Sequence, residues 1–402
     1  MKKQAIKKTH RRNLKTRSLE MVKPVWTQEK LEALGVEIDA VGEETKAKLG
    51  PEDVAYVKKM RKISRIAEVF GRSLLFVSLD PLTWSAGVFS LWLHNQLETA
   101  EIGHSALHGV WDGLPGAEEF SSDTFSWATP VSEEAWKREH NILHHQYTNI
   151  VGRDPDLNYG SMRMTPKATW LPYHLFQVAQ FFWTAPAFMW IIGFYATGLT
   201  DVMSGEKDKT YANILPDRHP KTIFKAALKT AKKMIPYGFR EFVFWPALAG
   251  PLWWKVLAGN VAADMVRNIY TGATIYAGHF GDDLEYYDRD YRPRGRGEWY
   301  KMQIEAAHNY EVPSFISKLC GALDYQIEHH LFPKLPPNRL REIQPKIQEI
   351  CERYGLNYVK KGWGVNLKAA LKRIKDMSSP PNGLKDLVRS IPLIGPKLLQ
   401  AA

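Results

Sequence analysis

Histidine falls in three tight groups along this chain: His104-Ser-Ala-Leu-His108, His140-Asn-Ile-Leu-His144-His145 and Gln326-Ile-Glu-His329-His330. They hold seven of the thirteen histidines. Neutral imidazole is the commonest side-chain ligand for a transition metal. One group suggests one ion. Three groups separated by long apolar stretches suggest a site assembled from distant parts of the chain, with nitrogen enough for two. On a helix, residues i and i+4 stand one above the other, about 6 Å apart along the axis. His104 with His108, and His140 with His144, each present two imidazoles to one side. Gln326 and His329 share a face at i and i+3. His145 and His330 point about 100° from their chain neighbours and are expected to close the far side of a cage. An ordinary core or surface histidine explains one such pair but not three groups in one chain.

The elements that position these groups are apolar. Residues 168–200 contain no Asp, Glu, Lys or Arg, and a bilayer crossing needs about 20 mostly apolar residues. Residues 73–97 carry one charge, Asp80, followed by Pro81; residues 242–257 read FVFWPALAGPLWWKVL; residues 261–278 are apolar around Asp264 and Arg267. Charged residues in such a segment face a protein interior or a functional cavity. Many Trp and Tyr stand at the ends of these stretches, as at membrane interfaces. The expected fold is all-α: an integral membrane protein of about four transmembrane helices, with a cytoplasmic helical cap carrying the histidines.

The net charge is +11, and residues 1–24 hold nine Lys or Arg against Glu20 alone. A basic segment beside membrane spans reads as cytoplasmic and attracted to anionic lipid. No apolar run of a signal peptide follows it. No zinc-finger spacing or aromatic-basic stripe argues for nucleic acid. The two cysteines, Cys320 and Cys351, exclude a disulfide framework and fall short of an iron–sulfur cluster's four thiolates. Gly50-Pro51-Glu52-Asp53 predicts a helix start. Two helices broken at Asp80-Pro81 are expected between residues 63 and 100, a returning pair over 238–278, and an amphipathic helix near 367–377. Residues 201–234, with eight Lys or Arg against four acids, belong in the cytoplasm by the positive-inside tendency. Residues 168–200 must then return to the side they entered, lie along the interface, or pair as one crossing with a second at 238–258. The division expected is a basic N-terminal helical region (1–62), a membrane domain with the histidine groups (63–350) and a cytoplasmic tail (351–402).

The groups read GHSALHG, EHNILHHQYTN and LDYQIEHHLFPKLP, and in this form the chain resembles the membrane fatty-acid desaturase family, whose hallmark is three histidine boxes. The QIEHHLFP run is similar to the third box of front-end desaturases. Gly152-Arg153-Asp154-Pro155-Asp156 and the run from Gln303 to Asn309-Tyr310 also look like the family, and the likeness spans roughly residues 65–350. The resemblance implies two non-haem irons on the cytoplasmic face, held by His104, His108, His140, His144, His145, His279, His329 and His330. His279 stands where the family has a histidine just after its last membrane helix. Gln326 occupies a position where many members have histidine, and it is expected, with Asp156 and Asn309, to orient ligands from outside the metal shell. His308 matches no ligand position, and His10, His94, His174 and His219 are not expected to bind metal. Box two has three residues between its first histidine and the pair where two is usual, and Glu139-His140-Asn141 is also similar to membrane alkane hydroxylases.

The chemistry follows from the bond attacked. No amino-acid side chain abstracts hydrogen from an unactivated C–H bond, so a redox metal must. The implied reaction is oxygen-dependent desaturation of a long-chain acyl group carried as acyl-CoA or acyl-lipid. The alternatives with the same diiron centre are hydroxylation of an acyl chain or alkane, and decarboxylation to a terminal alkene. The partners implied are the acyl substrate, dioxygen, membrane lipids and a separate ferredoxin or b-type cytochrome with its reductase, an acidic donor suiting a basic face. Both termini and all three boxes are expected in the cytoplasm. A zinc hydrolase is the rival metal reading, but its His-Glu-x-x-His motif is missing, and a catalytic zinc needs three protein ligands where this chain offers about eight. A metal-sensing transporter or receptor is the non-enzymatic reading; the inverted repeat of many transporters is not found.

Overall fold

A computed structural model of the chain describes residues 25–203 and 208–383. The basic stretch 1–24 with His10, and residues 384–402, lie outside the described residues. The first helix, Gln28–Lys46, is capped by Thr27, whose hydroxyl accepts the Lys30 N–H at 3.2 Å. The second starts as Gly50-Pro51-Glu52-Asp53 predicts: Pro51 takes the first helical position and the Asp53 carboxylate accepts the Gly50 N–H at 3.0 Å. It runs unbroken from Pro51 to Val77 and so passes through residues 62 and 63 without a joint. Asp80 ends the turn that follows by accepting the Leu82 and Thr83 N–H groups at 2.9 and 3.0 Å, which opens the Pro81–Leu97 helix.

These two helices touch through backbone. A Cβ on Gly71 would stand 2.7 Å from Leu91 N, and one on Gly87 would stand 3.1 Å from Leu75 N. Small residues at a crossing let main chains approach and gain dispersion contacts.

The returning pair is present but longer than its apolar part. Its first helix begins at Pro220, capped by His219, and continues past Phe239 through a π-helical Arg240–Phe244 to Leu248. Ala226, Thr230, Met234 and Tyr237 are its buried side, so the lysine-bearing turns are amphipathic helix and not loop. Its partner, Trp253–His279, brings His279 to its last turn. Between residues 172 and 196 the chain is broken at Ala185–Ala187, and the Pro186 carbonyl freed there accepts the Asn268 side-chain amide at 2.8 Å.

Pro172–Ala196 is the single stretch among the described residues that is helical, long and apolar enough to cross a membrane on length and composition. The expected four do not appear by that measure, because helices such as Trp253–His279 carry charged and polar side chains. Those side chains turn inward, as expected. Asp264 receives Tyr237 Oη at 2.9 Å, Trp190 Nε1 at 3.0 Å and Asn268 Nδ2 at 2.9 Å, and pairs with the fully buried Arg267. Meanwhile Val69, Phe70, Leu82, Phe182, Trp183, Trp254 and Ile269 stand exposed on the same helices.

The polar cap packs the helices Gln28–Lys46, Arg296–Glu305, Gln326–Leu331 and Pro337–Tyr354 around Leu34, Ile38, Tyr300, Ile327, Leu340 and Ile347. The fold is mostly helical; among the described residues the exception is a short parallel pair, Asn309–Glu311 with Lys360–Gly362. The helix expected near 367–377 is Trp363–Ser378, lying against Trp253–His279. Cys320 and Cys351 are both free and buried.

Candidate metal centre

The helices carrying the first two boxes change their winding at the histidines. Glu98–His104 and Lys137–His144 are π-helical. A π turn bonds i to i+5, so residues five apart also come to one side. His140 and His145 are such a pair, and their Nε2 atoms lie 3.3 Å apart. The regular α-helical spacing assumed from the sequence, which turned His145 toward the far side, does not apply here.

All eight expected histidines meet. The ligating atoms of His104, His108, His140 and His329 lie within 4.8 Å of one another, and those of His144, His279 and His330 form a second such group. His145 stands between them, its ring 4.8 Å from that of His329 and 4.5 Å from that of His330. The histidines expected to stay apart do so. His94 Nδ1 bonds Ser64 Oγ at 2.8 Å, His174 accepts the Leu171 N–H at 2.8 Å, and His219 caps its helix. His308 is buried and belongs to neither group, and neither ring nitrogen has a partner among the described residues.

The donor set fits metal ions. Nε2 of His108, His144, His329 and His330 and Nδ1 of His145 are buried with no hydrogen-bond partner among the described residues. Leaving such atoms unpaired costs about 1–3 kcal/mol each. His104 and His140 turn their Nε2 atoms on each other at 3.3 Å. At that distance the two nitrogens can share one proton or one metal ion. Burial first, and then the neighbouring imidazoles, hold His145, His329 and His330 well below the usual histidine range, in the neutral form that donates to a metal.

Other side chains aim these rings. His144 donates Nδ1–H to Asp154 Oδ1 at 3.0 Å, and His330 donates Nδ1–H to Gln303 Oε1 at 2.9 Å; each bond leaves Nε2 bare. Burial disfavours charge at His144, yet the carboxylates of Asp154 and Asp156 push it up to about 9. Asp156 lies farther off, 3.6 Å from His144 Nδ1, and accepts Tyr195 Oη at 2.6 Å. Asn309 makes no side-chain hydrogen bond to a histidine among the described residues. It donates to Glu328 at 2.7 Å and accepts the Ile327 N–H at 2.9 Å, which fixes the first turn under His329 and His330. Gln326 contacts His279 directly, its amide nitrogen 2.7 Å from Nε2. Asp154 and Gln303 were not singled out from the sequence as orienting groups. Each sits in a run noted there, beside Asp156 and upstream of Asn309.

A largely apolar cavity opens on His104, His140 and His279, walled by Trp136, Tyr159, Phe188, Met189, Ile192 and Ile275. A hydrocarbon chain suits such a lining, and its carbons would lie against the histidine groups.

A helical scaffold presenting two nests of buried imidazoles to an apolar slot is consistent with a metal-dependent enzyme acting on a hydrocarbon. Residues 81–362 match the model of the fatty acid desaturase family. The chain is 32% identical to the NADPH-dependent stearoyl-CoA 9-desaturase of Mycobacterium tuberculosis, over 90% of this chain and 83% of that one. It is 28% identical to the sn-1 linoleoyl-lipid 6-desaturase of Arthrospira platensis, over 64% of this chain and 67% of that one. With the acyl-lipid (8-3)-desaturase of Mortierella alpina the identity is 25%, over 69% and 62%. The chain belongs to the fatty acid desaturase family, and it is a desaturase, an oxidoreductase of lipid metabolism.

Proposed function

We propose that this protein inserts a double bond into a long-chain fatty acyl group, using dioxygen and electrons from a separate donor, at a centre of two irons. The eight histidines carry this reading: two converging groups of imidazoles, five of them with a buried nitrogen that has no partner among the described residues, and few carboxylates among them. His104, His108, His140 and His329 would hold one ion, His144, His279 and His330 the other, and His145 faces both. Iron bound there would supply the redox chemistry by which dioxygen, with two electrons from the donor and two protons, removes two hydrogens from adjacent methylenes to give a double bond and two waters.

The chain's own residues do the rest. Asp154 and Gln303 keep the Nδ1 protons of His144 and His330 in place. The cavity wall holds the acyl chain against the nests and excludes water from it. The substrate is an acyl-CoA or an acyl-lipid; the identity to the stearoyl-CoA desaturase favours the former. That relative is NADPH-dependent, which favours an NADPH-linked reductase feeding the donor.

The protein is read as spanning the membrane, with the long helices in the bilayer and the histidine cap and both termini in the cytoplasm. The exposed apolar side chains on these helices support that reading. So does the inward-facing Asp264–Arg267 pair. Residues 1–62 and 351–402 would flank the membrane domain. Purified protein, given reductase, donor, oxygen and stearoyl-CoA, should release a product lighter by a pair of hydrogens. A product heavier by one oxygen, or one that has lost its carboxyl carbon, would replace desaturation with hydroxylation or decarboxylation at the same centre.

A further inference from the structure

A second groove, with room for about 540 Å³, opens beside His308. Lys361, Lys368, Lys372 and Lys375 line it, against a single carboxylate, Asp282. Lys361 is paired with Asp283 at 3.2 Å and Lys372 with Asp376 at 2.6 Å. Lys368 and Lys375 make no ion pair among the described residues. His308 also lines the groove, 1% exposed, with both ring nitrogens unpartnered.

The backbone holds His308 in place. Its N–H donates to Gly278 O at 2.9 Å, and its ring fills the space a Cβ on Gly281 would need, 2.3 Å from Nδ1. Packing alone would be served better by an apolar ring, since a buried nitrogen without a partner costs about 1–3 kcal/mol. A neutral imidazole donates one hydrogen bond, and ammonium groups supply point charges around it. Together they suit an anion with several oxygens.

We infer that this groove binds a phosphoryl group, the phosphorylated end of the carrier to which the acyl chain is attached. Lys368 and Lys375 supply the charge, and His308 supplies a buried hydrogen bond at the floor. Most of the lining belongs to the helix Trp363–Ser378, beyond residue 362, where the family match ends. The inference rests on the acyl substrate proposed above. Coenzyme A bears phosphate in its nucleotide, and an acyl-lipid bears it where that lipid is a phospholipid.

Isothermal titration of the full-length chain in detergent tests this, with coenzyme A, a short-chain phosphatidic acid and phosphate-free pantetheine as probes. One or both phosphorylated probes should bind and pantetheine should not; which of them binds identifies the carrier. The double variant Lys368→Ala, Lys375→Ala should weaken binding roughly tenfold for each lysine removed. His308→Phe, which keeps the ring and removes the nitrogens, should weaken it as well. Circular dichroism and metal content should match the parent in each variant. In turnover, the double variant should raise KM for the phosphorylated substrate with kcat held. Absence of binding by either phosphorylated probe, or unchanged binding in the double variant, overturns the site while leaving desaturation standing. Tight binding of a phosphorylated probe by a chain that yields no desaturated product keeps the site and removes the reading it rests on.

Discussion

At the scale of single residues the proposed centre divides into groups that would donate to metal and groups that aim the donors. Alanine at His104, His145, His279 or His330 should abolish product formation and lower the iron content below about two per chain, with membrane insertion unchanged. His219→Ala, a cap far from the nests, is the control that keeps both. Normal iron content in all four variants would remove these residues from the centre. Asp154→Asn keeps the shape beside His144 and removes the charge, so metal affinity should fall about 10–100-fold. Competition with a chelator reads this directly. An unchanged affinity would mean that Asp154 serves the turn after box two and not the imidazole.

At the scale of elements, the position of the histidines depends on how closely the helices Pro51–Val77 and Pro81–Leu97 cross. The second of these continues into box one. A methyl group on Gly71 meets Leu91 backbone nitrogen at 2.7 Å, and backbone cannot rotate out of the way. Gly71→Ala should therefore destabilise the protein by about 1–3 kcal/mol. In detergent this appears as a lower midpoint of thermal unfolding, with metal released at the same lower temperature. A midpoint equal to the parent's would show that the crossing is looser than drawn here. The cap adds a second constraint. Arg341 reaches across from Pro337–Tyr354 to Glu101, one turn before His104, at 2.9 Å, so the cap and box one are tied by a nearly buried ion pair.

At the scale of the whole molecule, the proposal that the long helices lie in a bilayer makes a sidedness prediction. Cysteine in place of Leu79, in the exposed turn between Pro51–Val77 and Pro81–Leu97, should be labelled from one side of sealed vesicles. Cysteine in place of Glu119 or Lys334, both exposed near the histidine cap, should be labelled from the other. The native thiols Cys320 and Cys351 are buried and should contribute little background. Labelling of all three positions from the same side would refute the bilayer placement of those helices.

Seven of the eight histidines were legible in the sequence because their groups are local, and a spacing of three to five residues survives without knowledge of the fold. His279 stood alone and was assigned only through the family resemblance; the end of Trp253–His279 is what carries it to His144 and His330. The helix start at Pro51 and the break at Asp80-Pro81 were also legible, since capping and proline chemistry act within one turn. The continuous helix from Pro51 to Val77 was not, because its polar first half and apolar second half look like different elements by composition. The π winding of boxes one and two was likewise hidden. An inserted residue in a helical turn leaves no periodic mark in a short stretch, and only tertiary packing selects it. The orienting bonds of Asp154 and Gln303 span 10 and 27 residues, and such separations are set by the path of the chain. Residue type and local spacing thus determined which chemistry the chain can do. The crossing of the helices decided which histidines share a group and which of them face the apolar cavity.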